Sequence, residues 1–184
     1  MVDDFNMPNT NDIFMKRIFI TMAMVVMLFC LANAQIAKHS VGLRYGALYG
    51  LGTEITYQRG LTSKNRLEFD FGFNSNFDYV DNFRQDHNSW ALSGLYHWVW
   101  KLDKMDDNVN WYAGAGAKLG TWSSNQGYDY RYKNGPFLNA CGDVGIEYVF
   151  PAGIQFALNA RPEVGIYNHG SGVNIGFAVR YQFK

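Results

Sequence analysis

The sequence predicts an all-β protein, an eight-stranded antiparallel up-and-down transmembrane β-barrel, and three observations predict it. First, residues 171–184 alternate without a break. Val173, Ile175, Phe177, Val179, Tyr181 and Phe183 take one parity, and Gly172, Asn174, Gly176, Ala178, Arg180 and Gln182 take the other. Successive side chains of a strand point to opposite faces, so this segment has one apolar face and one polar or small face. It exceeds the about five or six residues usual in globular sheets and meets the roughly 9–11 that a tilted strand needs to cross a bilayer. Second, the pattern recurs along the chain in eight segments, the minimum and an even number, as bacterial single-chain barrels require. Third, a secretory signal precedes these segments, and no later stretch is long and apolar enough for a transmembrane helix.

Met15, Lys16 and Arg17 form a short basic region. An apolar run follows from Ile18 to Leu31, and Ala32, Asn33 and Ala34 form a small-residue cleavage site. Residues 15–34 therefore read as a cleavable signal peptide, cut between Ala34 and Gln35, with residues 35–184 as the barrel domain. The polar residues 1–14 carry Asp3, Asp4 and Asp12, which suit no export signal. They are expected to be a start-site artefact or a disordered extension, with translation beginning at Met15. Cys30 follows the bulky Phe29, where a lipoprotein site takes a small residue.

Composition excludes several classes. Lysine plus arginine and aspartate plus glutamate both number 16, for a formal net charge of zero, so there is no electrostatic footprint for nucleic acid. With Gly 19, Phe 14, Tyr 12 and Trp 5 against Pro 4, the chain suits many strands and few helices. After cleavage only Cys141 remains, so no intrachain disulfide is expected on the oxidising export route.

The strands are expected at residues 40–48, 52–60, 65–74, 89–101, 110–122, 137–150, 153–167 and 172–183. Turn signals separate them at 49–51, 62–64, 106–108, 151–153 and 168–170. In the second strand Ile55 and Tyr57 oppose Glu54, Thr56 and Gln58. In the third, Leu67, Phe69, Phe71 and Phe73 oppose Arg66, Glu68, Asp70 and Gly72. The fourth is mixed, because Leu95 and Val99 share a parity with Ser93 and His97. The sixth sets Leu138, Ala140, Val144 and Ile146 against Asn139, Cys141, Asp143 and Glu147. The seventh sets Ile154, Phe156, Leu158 and Val164 against Gln155, Asn159, Arg161 and Glu163. Pro162 cannot donate to a ladder, which predicts a bulge there or a different strand boundary. With a periplasmic mature N-terminus, the longest connections, 75–88 and 123–136, face outward, and short turns face the periplasm.

A soluble carrier barrel would show the same period with its faces reversed. The polar face decides between them. It carries Gly42, Gly46, Gly72, Gly94, Gly114, Gly116, Gly120, Gly145, Gly165 and Gly176. Glycine weakens a solvated strand for no gain, whereas inside a narrow barrel it makes room for long neighbours. The charges of this face are nearly balanced: Arg44, Arg66, Lys118, Arg161 and Arg180 against Glu54, Glu68, Asp70, Asp143, Glu147 and Glu163. Buried charge is tolerated when paired, so these residues are expected to fill the lumen as an ion network. Arg44 and Glu54 flank the first turn almost symmetrically, which lets them face each other. On the apolar face Tyr57, Trp98, Trp100, Trp111, Tyr148, Tyr181 and Phe183 fall near strand ends, as interfacial girdles require.

The closing strand, Gly176 to Phe183, with segments 110–114 (Asn-Trp-Tyr-Ala-Gly) and 145–148 (Gly-Ile-Glu-Tyr), resembles the small eight-stranded outer-membrane barrels of the OmpA transmembrane domain, OmpX and opacity-protein group. The resemblance spans the whole mature chain. It implies a Gram-negative outer membrane, contact with its lipid and lipopolysaccharide, and recognition of the closing strand by the barrel insertion machinery. This chain departs in placing Lys184 after Phe183. Members of the group anchor the envelope, adhere through their loops or, in a few cases, act as enzymes. The expected role is structural or adhesive, exercised by a monomer through the outer loops. Loop 75–88 offers Phe77, Tyr79 and Arg84, and loop 123–136 offers Tyr128, Tyr130, Arg131 and Tyr132. No cofactor, catalytic group or metal site is expected.

Two alternatives remain open: a soluble periplasmic lipocalin-like carrier, and an envelope lipid-modifying enzyme of the lipid A deacylase kind. His169, Gly170 and Ser171 have the His-x-Ser spacing of such deacylases, with Glu163 as the acidic partner. The glycines of residues 114–120 superficially resemble a phosphate loop, but the run alternates as a strand instead of opening a helix. Asp103, Asp106 and Asp107 miss the spacing of a calcium loop and read as a solvated turn. His39, His87, His97 and His169 are scattered, and Cys141 reads as a small lumen residue.

Overall fold

The computed structural model describes residues 37–48, 51–80, 83–102, 108–124, 134–168 and 170–183. The expected signal segment and the Ala34–Gln35 junction lie outside the described residues. Eight strands follow in order: β1 His39–Leu48, β2 Gly52–Gly60, β3 Asn65–Val80, β4 Phe83–Lys101, β5 Val109–Ser124, β6 Gly135–Val149, β7 Ile154–Tyr167 and β8 Gly172–Phe183. Each is hydrogen-bonded to its sequence neighbour, and β1 pairs antiparallel with β8 from His39↔Phe183 to Leu48↔Asn174, which closes the barrel. The fold class is therefore the expected one.

Alternation settles which residues face inward. In β8, Asn174, Gly176, Ala178 and Arg180 are buried while Val173, Ile175, Phe177, Val179 and Tyr181 are exposed. The same inversion holds for Arg66, Glu68 and Asp70 against Phe69, Phe71 and Phe73 in β3. Large apolar side chains thus cover the outside and charged ones the inside, the reverse of a soluble carrier barrel. The outward apolar face of β8, from Val173 to Phe183, rises about 25 Å at the usual tilt, which matches the apolar band of outer-membrane barrels. Aromatics ring the end that carries the first and last strand residues. Trp100 stacks on Trp111 at 4.3 Å between ring centroids, and His39 stacks on Phe183 at 5.5 Å.

Three expectations are corrected. Strands β3 and β4 do not stop at residue 74 and start at residue 89. Their ladder continues from Asn74↔Ser89 to Val80↔Phe83, so most of the expected loop 75–88 is a protruding hairpin. Gly94 faces outward, beside the Phe69 ring, because β4 turns Ser93, Leu95, His97 and Val99 inward. Pro162 neither ends β7 nor makes a bulge. The β6–β7 register is the same on both sides of it, Cys141↔Glu163 and Val144↔Ala160, and the irregularity falls instead at Leu138/Asn139. Pro162 points outward across from Gly142, where a Cβ would lie 3.1 Å from the proline Cγ. The absence of that Cβ lets the ring fit at a position where the proline donates nothing.

The short turns have local causes. Between β6 and β7, Phe150 N donates to Ile154 O and Gly153 N donates to Phe150 O, with Gly153 at φ 82. This is a three-residue hairpin whose last loop residue must be left-handed, hence the glycine. Between β2 and β3, the Thr62 hydroxyl accepts from the backbone N–H of Lys64 and of Asn65, each at 3.1 Å.

Candidate functional site

Two regions stand out: the charged interior and the β3–β4 hairpin. Among the described residues the interior buries five cations, Arg44, Arg66, Lys118, Arg161 and Arg180, and six carboxylates, Glu54, Glu68, Asp70, Asp143, Glu147 and Glu163. Near the hairpin end, Lys118 Nζ lies 3.0 Å from Glu163 Oε1, and Asn139 donates to the other oxygen of Glu163 at 3.1 Å. Leu51, Ala91 and Phe137 cluster at the same end.

Arg161 is the central node. Its Nη2 reaches Glu68 Oε1 at 3.0 Å and Asp143 Oδ2 at 3.2 Å, and its Nη1 lies 2.9 Å from Asp70 Oδ2. Arg180 donates to Glu68 Oε2 at 3.0 Å and to the Thr56 hydroxyl at 3.1 Å. Gln58 donates to the same Glu68 oxygen at 2.6 Å. Asn159 bridges outward from this node, donating to Asp143 at 2.7 Å and accepting from Arg44 at 3.4 Å. Arg44 in turn pairs with Glu54. Toward the other end, Arg66 pairs with Glu147 at 2.8 Å and lies over the Tyr112 ring at 4.7 Å. Asn110 and Gln155 both donate to Glu147. Buried charges are costly singly, and this linkage gives most of them an opposite partner and a polar neighbour.

The neutral connectors lie on the polar face that alternation assigns to the interior. Gln58, Asn159 and Gln155 share the inward parity and were findable by it. His97 was set aside as one of four scattered histidines, yet the fold places its Nε2 3.2 Å from Asp143 Oδ2 and its Nδ1 3.8 Å from Glu68 Oε2. One ligand atom each from Glu68, His97 and Asp143 lies within 4.8 Å of the others. These carboxylates are already held by the Arg161 and Arg180 guanidiniums, and Arg66 Nε is 3.4 Å from the His97 ring. A metal ion would have to enter against three arginines, so the cluster is an ion-pair node.

Glu163 is buried with Lys118 and Asn139, whereas Ser171 is exposed and its hydroxyl accepts from Gly165 N at 3.3 Å. His169 lies outside the described residues. Cys141 is a free, buried thiol between Gly116 and Glu163 in the register. Of the expected loop residues, Phe77, Tyr79 and Arg84 lie in the β3–β4 hairpin, with Tyr79 and Arg84 as Cα partners. Tyr128, Tyr130, Arg131 and Tyr132 lie outside the described residues, as do Asp103, Asp106 and Asp107.

A closed eight-strand barrel with an apolar exterior and an ion-paired interior has the fold of the small outer-membrane barrels. Solved structures agree. The N-terminal β-barrel domain of Pseudomonas aeruginosa OprF matches with a TM-score of 0.55 at 16% identity, over 80% of this chain and 98% of that one. Neisserial surface protein A matches with a TM-score of 0.53 at 13% identity, over 79% of this chain and 93% of that one. No protein-family model and no curated protein matches the sequence.

Proposed function

We propose that the chain is a non-enzymatic outer-membrane protein whose filled barrel is a platform for the β3–β4 hairpin, which binds partner proteins. One observation carries this reading. The β2–β3 ladder ends at Glu54↔Gly72, while the β3–β4 ladder runs on to Val80↔Phe83. Residues 73–80 of β3 therefore have a ladder partner on one side only among the described residues. β5 accompanies β4 no further than His87↔Ser124. The hairpin thus projects at the end opposite the termini and presents a strand edge.

Such an edge is a template for an added strand. Edges that must stay unpaired carry charges, above all lysine, or proline, and the exposed edge at residues 73–80 contains no lysine or proline and a single charge, Asp78. Phe73, Phe77 and Tyr79 supply the apolar and aromatic content that recognition surfaces favour. The chemistry fits an extended polypeptide segment that adds to β3. The second expected outer loop, 123–136, begins at the end of β5, which pairs with the base of the hairpin at His87↔Ser124. The test replaces residues 75–88 by a two-residue Asn-Gly turn and compares adherence of bacteria to surfaces coated with serum or matrix proteins. Wild type is expected to adhere and the shortened barrel to lose adherence while remaining folded. Equal adherence of the two would assign the barrel a purely structural role.

A further inference from the structure

Among the residues whose side chains are described, every charge that is not buried is a cation: Lys38, Arg59, Lys64 and Lys101. All four lie at the termini end, along one arc of the rim from β1 to β4. Hydrogen bonds and register fix the arc. Gly60 N donates to Lys38 O at 3.0 Å, and Val99 N donates to Lys64 O at 2.8 Å. Arg59 is the Cα partner of His39 and of Leu67, and Lys101 that of Asn110. The rest of this rim, from β5 to β8, ends in Tyr148, Phe150 and Phe183, and its described charge, Glu147, is buried in the interior. At the opposite rim the residues whose side chains are described, such as Thr53, Asn74, Ser123 and Ser171, carry no charge, and Asp78, Arg84 and Asp86 follow on the β3–β4 hairpin.

None of the four cations has an ion-pair partner among the described residues, since the described carboxylates of the barrel wall are buried in the interior. Asp103, Asp106 and Asp107 follow Lys101 in the chain and lie outside the described residues. The arc coincides with the aromatic row of Tyr57, Trp98, Trp100 and Trp111, and such amphipathic rings sit at headgroup depth in a bilayer. Arg59 shares the lipid-facing parity of Tyr57, and the long lysine stems at the strand ends reach the same level. A one-sided arc of cations at that depth attracts anionic lipid headgroups, and the attraction acts within about 10 Å of the surface.

We propose that Lys38, Arg59, Lys64 and Lys101 form a binding arc for the phosphate headgroups of anionic glycerophospholipid, which sets the termini end of the barrel in the phospholipid leaflet. The folded barrel, purified from outer membranes, is reconstituted into phosphatidylcholine vesicles doped with pyrene-labelled phosphatidylglycerol, phosphatidylcholine or lipid A. Energy transfer from Trp98, Trp100 and Trp111 reports which label gathers at the arc. Phosphatidylglycerol is expected to associate several-fold more strongly than phosphatidylcholine, with the preference falling as salt is raised. The K38Q/R59Q/K64Q/K101Q variant should keep its heat-modifiable fold and lose the preference. Equal transfer from the two phospholipid labels would overturn the proposal. So would an unchanged preference in the quadruple variant, or a stronger association with lipid A.

Discussion

Arg44 Nη1 donates to Glu54 Oε2 at 2.7 Å across neighbouring strands, with side-chain exposures of 0% and 3%. The two residues are also Cα partners in the β1–β2 register, so backbone pairing and charge pairing specify the same alignment. A one-residue slip of either strand would turn its own charge into the lipid and leave the other unpaired inside. Removing one member of a buried pair strands the other charge and typically costs about 3–5 kcal/mol, so Arg44→Met and Glu54→Leu should each destabilise by that order. The double variant should recover about 1–3 kcal/mol of the summed loss. Denaturant unfolding in detergent micelles, followed by tryptophan fluorescence, measures the cycle. Strict additivity would show that the pair is not coupled.

Arg161 should be less replaceable than Arg44, because it holds Glu68, Asp70 and Asp143 together. Arg161→Met takes a cation from three interior carboxylates and leaves Asp70 without an ion-pair partner among the described residues, so its cost should reach or exceed the roughly 3–5 kcal/mol of a single broken pair. The same unfolding assay ranks the two variants, and a smaller loss for Arg161→Met would remove it from the centre of the network.

Glycines at similar depth should differ in tolerance according to what a Cβ would meet. At Gly116 it would strike the Gly94 carbonyl oxygen and lie 2.7 Å from Leu95 Cα, whereas at Gly94 the nearest atoms are Phe69 ring carbons at 3.7 Å. Gly116→Ala is expected to cost about 1–3 kcal/mol, as overpacking does, and Gly94→Ala to lie near neutral. Similar unfolding midpoints for the two variants would contradict the packing argument.

The strands within the lipid band were legible because each strand there faces lipid on one side and the interior on the other, so alternation is enforced. The hairpin was not legible. Residues 75–80 and 83–88 run past the end of the β2–β3 ladder and read as polar loop, yet pairing with each other sustains them as strand. Gly94 was misassigned for a related reason: β4 turns Leu95 and Val99 inward with Ser93 and His97, so its hydrophobic pattern does not report its faces. His97 was obscured by the same mixture. Its partners Glu68 and Asp143 lie on β3 and β6, and no local spacing connects them. Pro162 looked like a break because the role of Gly142, distant in sequence, is visible only once β6 and β7 are paired.

A barrel interior filled by side chains is expected to conduct poorly. Side chains of the Arg161 node link β3, β6 and β7 inside the barrel, and Leu51, Ala91 and Phe137 pack together near the hairpin end. An eight-stranded barrel is only wide enough to be filled in this way. Purified monomer in planar bilayers should show negligible steady conductance, and large stable openings would refute a filled lumen.

The exported chain should begin at Gln35, because Ala32, Asn33 and Ala34 provide the small-residue site that follows the apolar run. Intact-mass spectrometry of the protein extracted from membranes reads this directly. A mature chain that retains Met1 would exclude both signal cleavage and the start at Met15.

The most direct test of the central claim is gel mobility of the outer-membrane fraction with and without boiling. Closed transmembrane barrels stay folded in cold detergent and change mobility only when heated. The protein is expected in that fraction, with a boiled band that runs differently from the unboiled one. Recovery from the soluble periplasm, with a single band unaffected by heating, would contradict the outward placement of Phe69, Phe71, Ile175 and Phe177 against lipid.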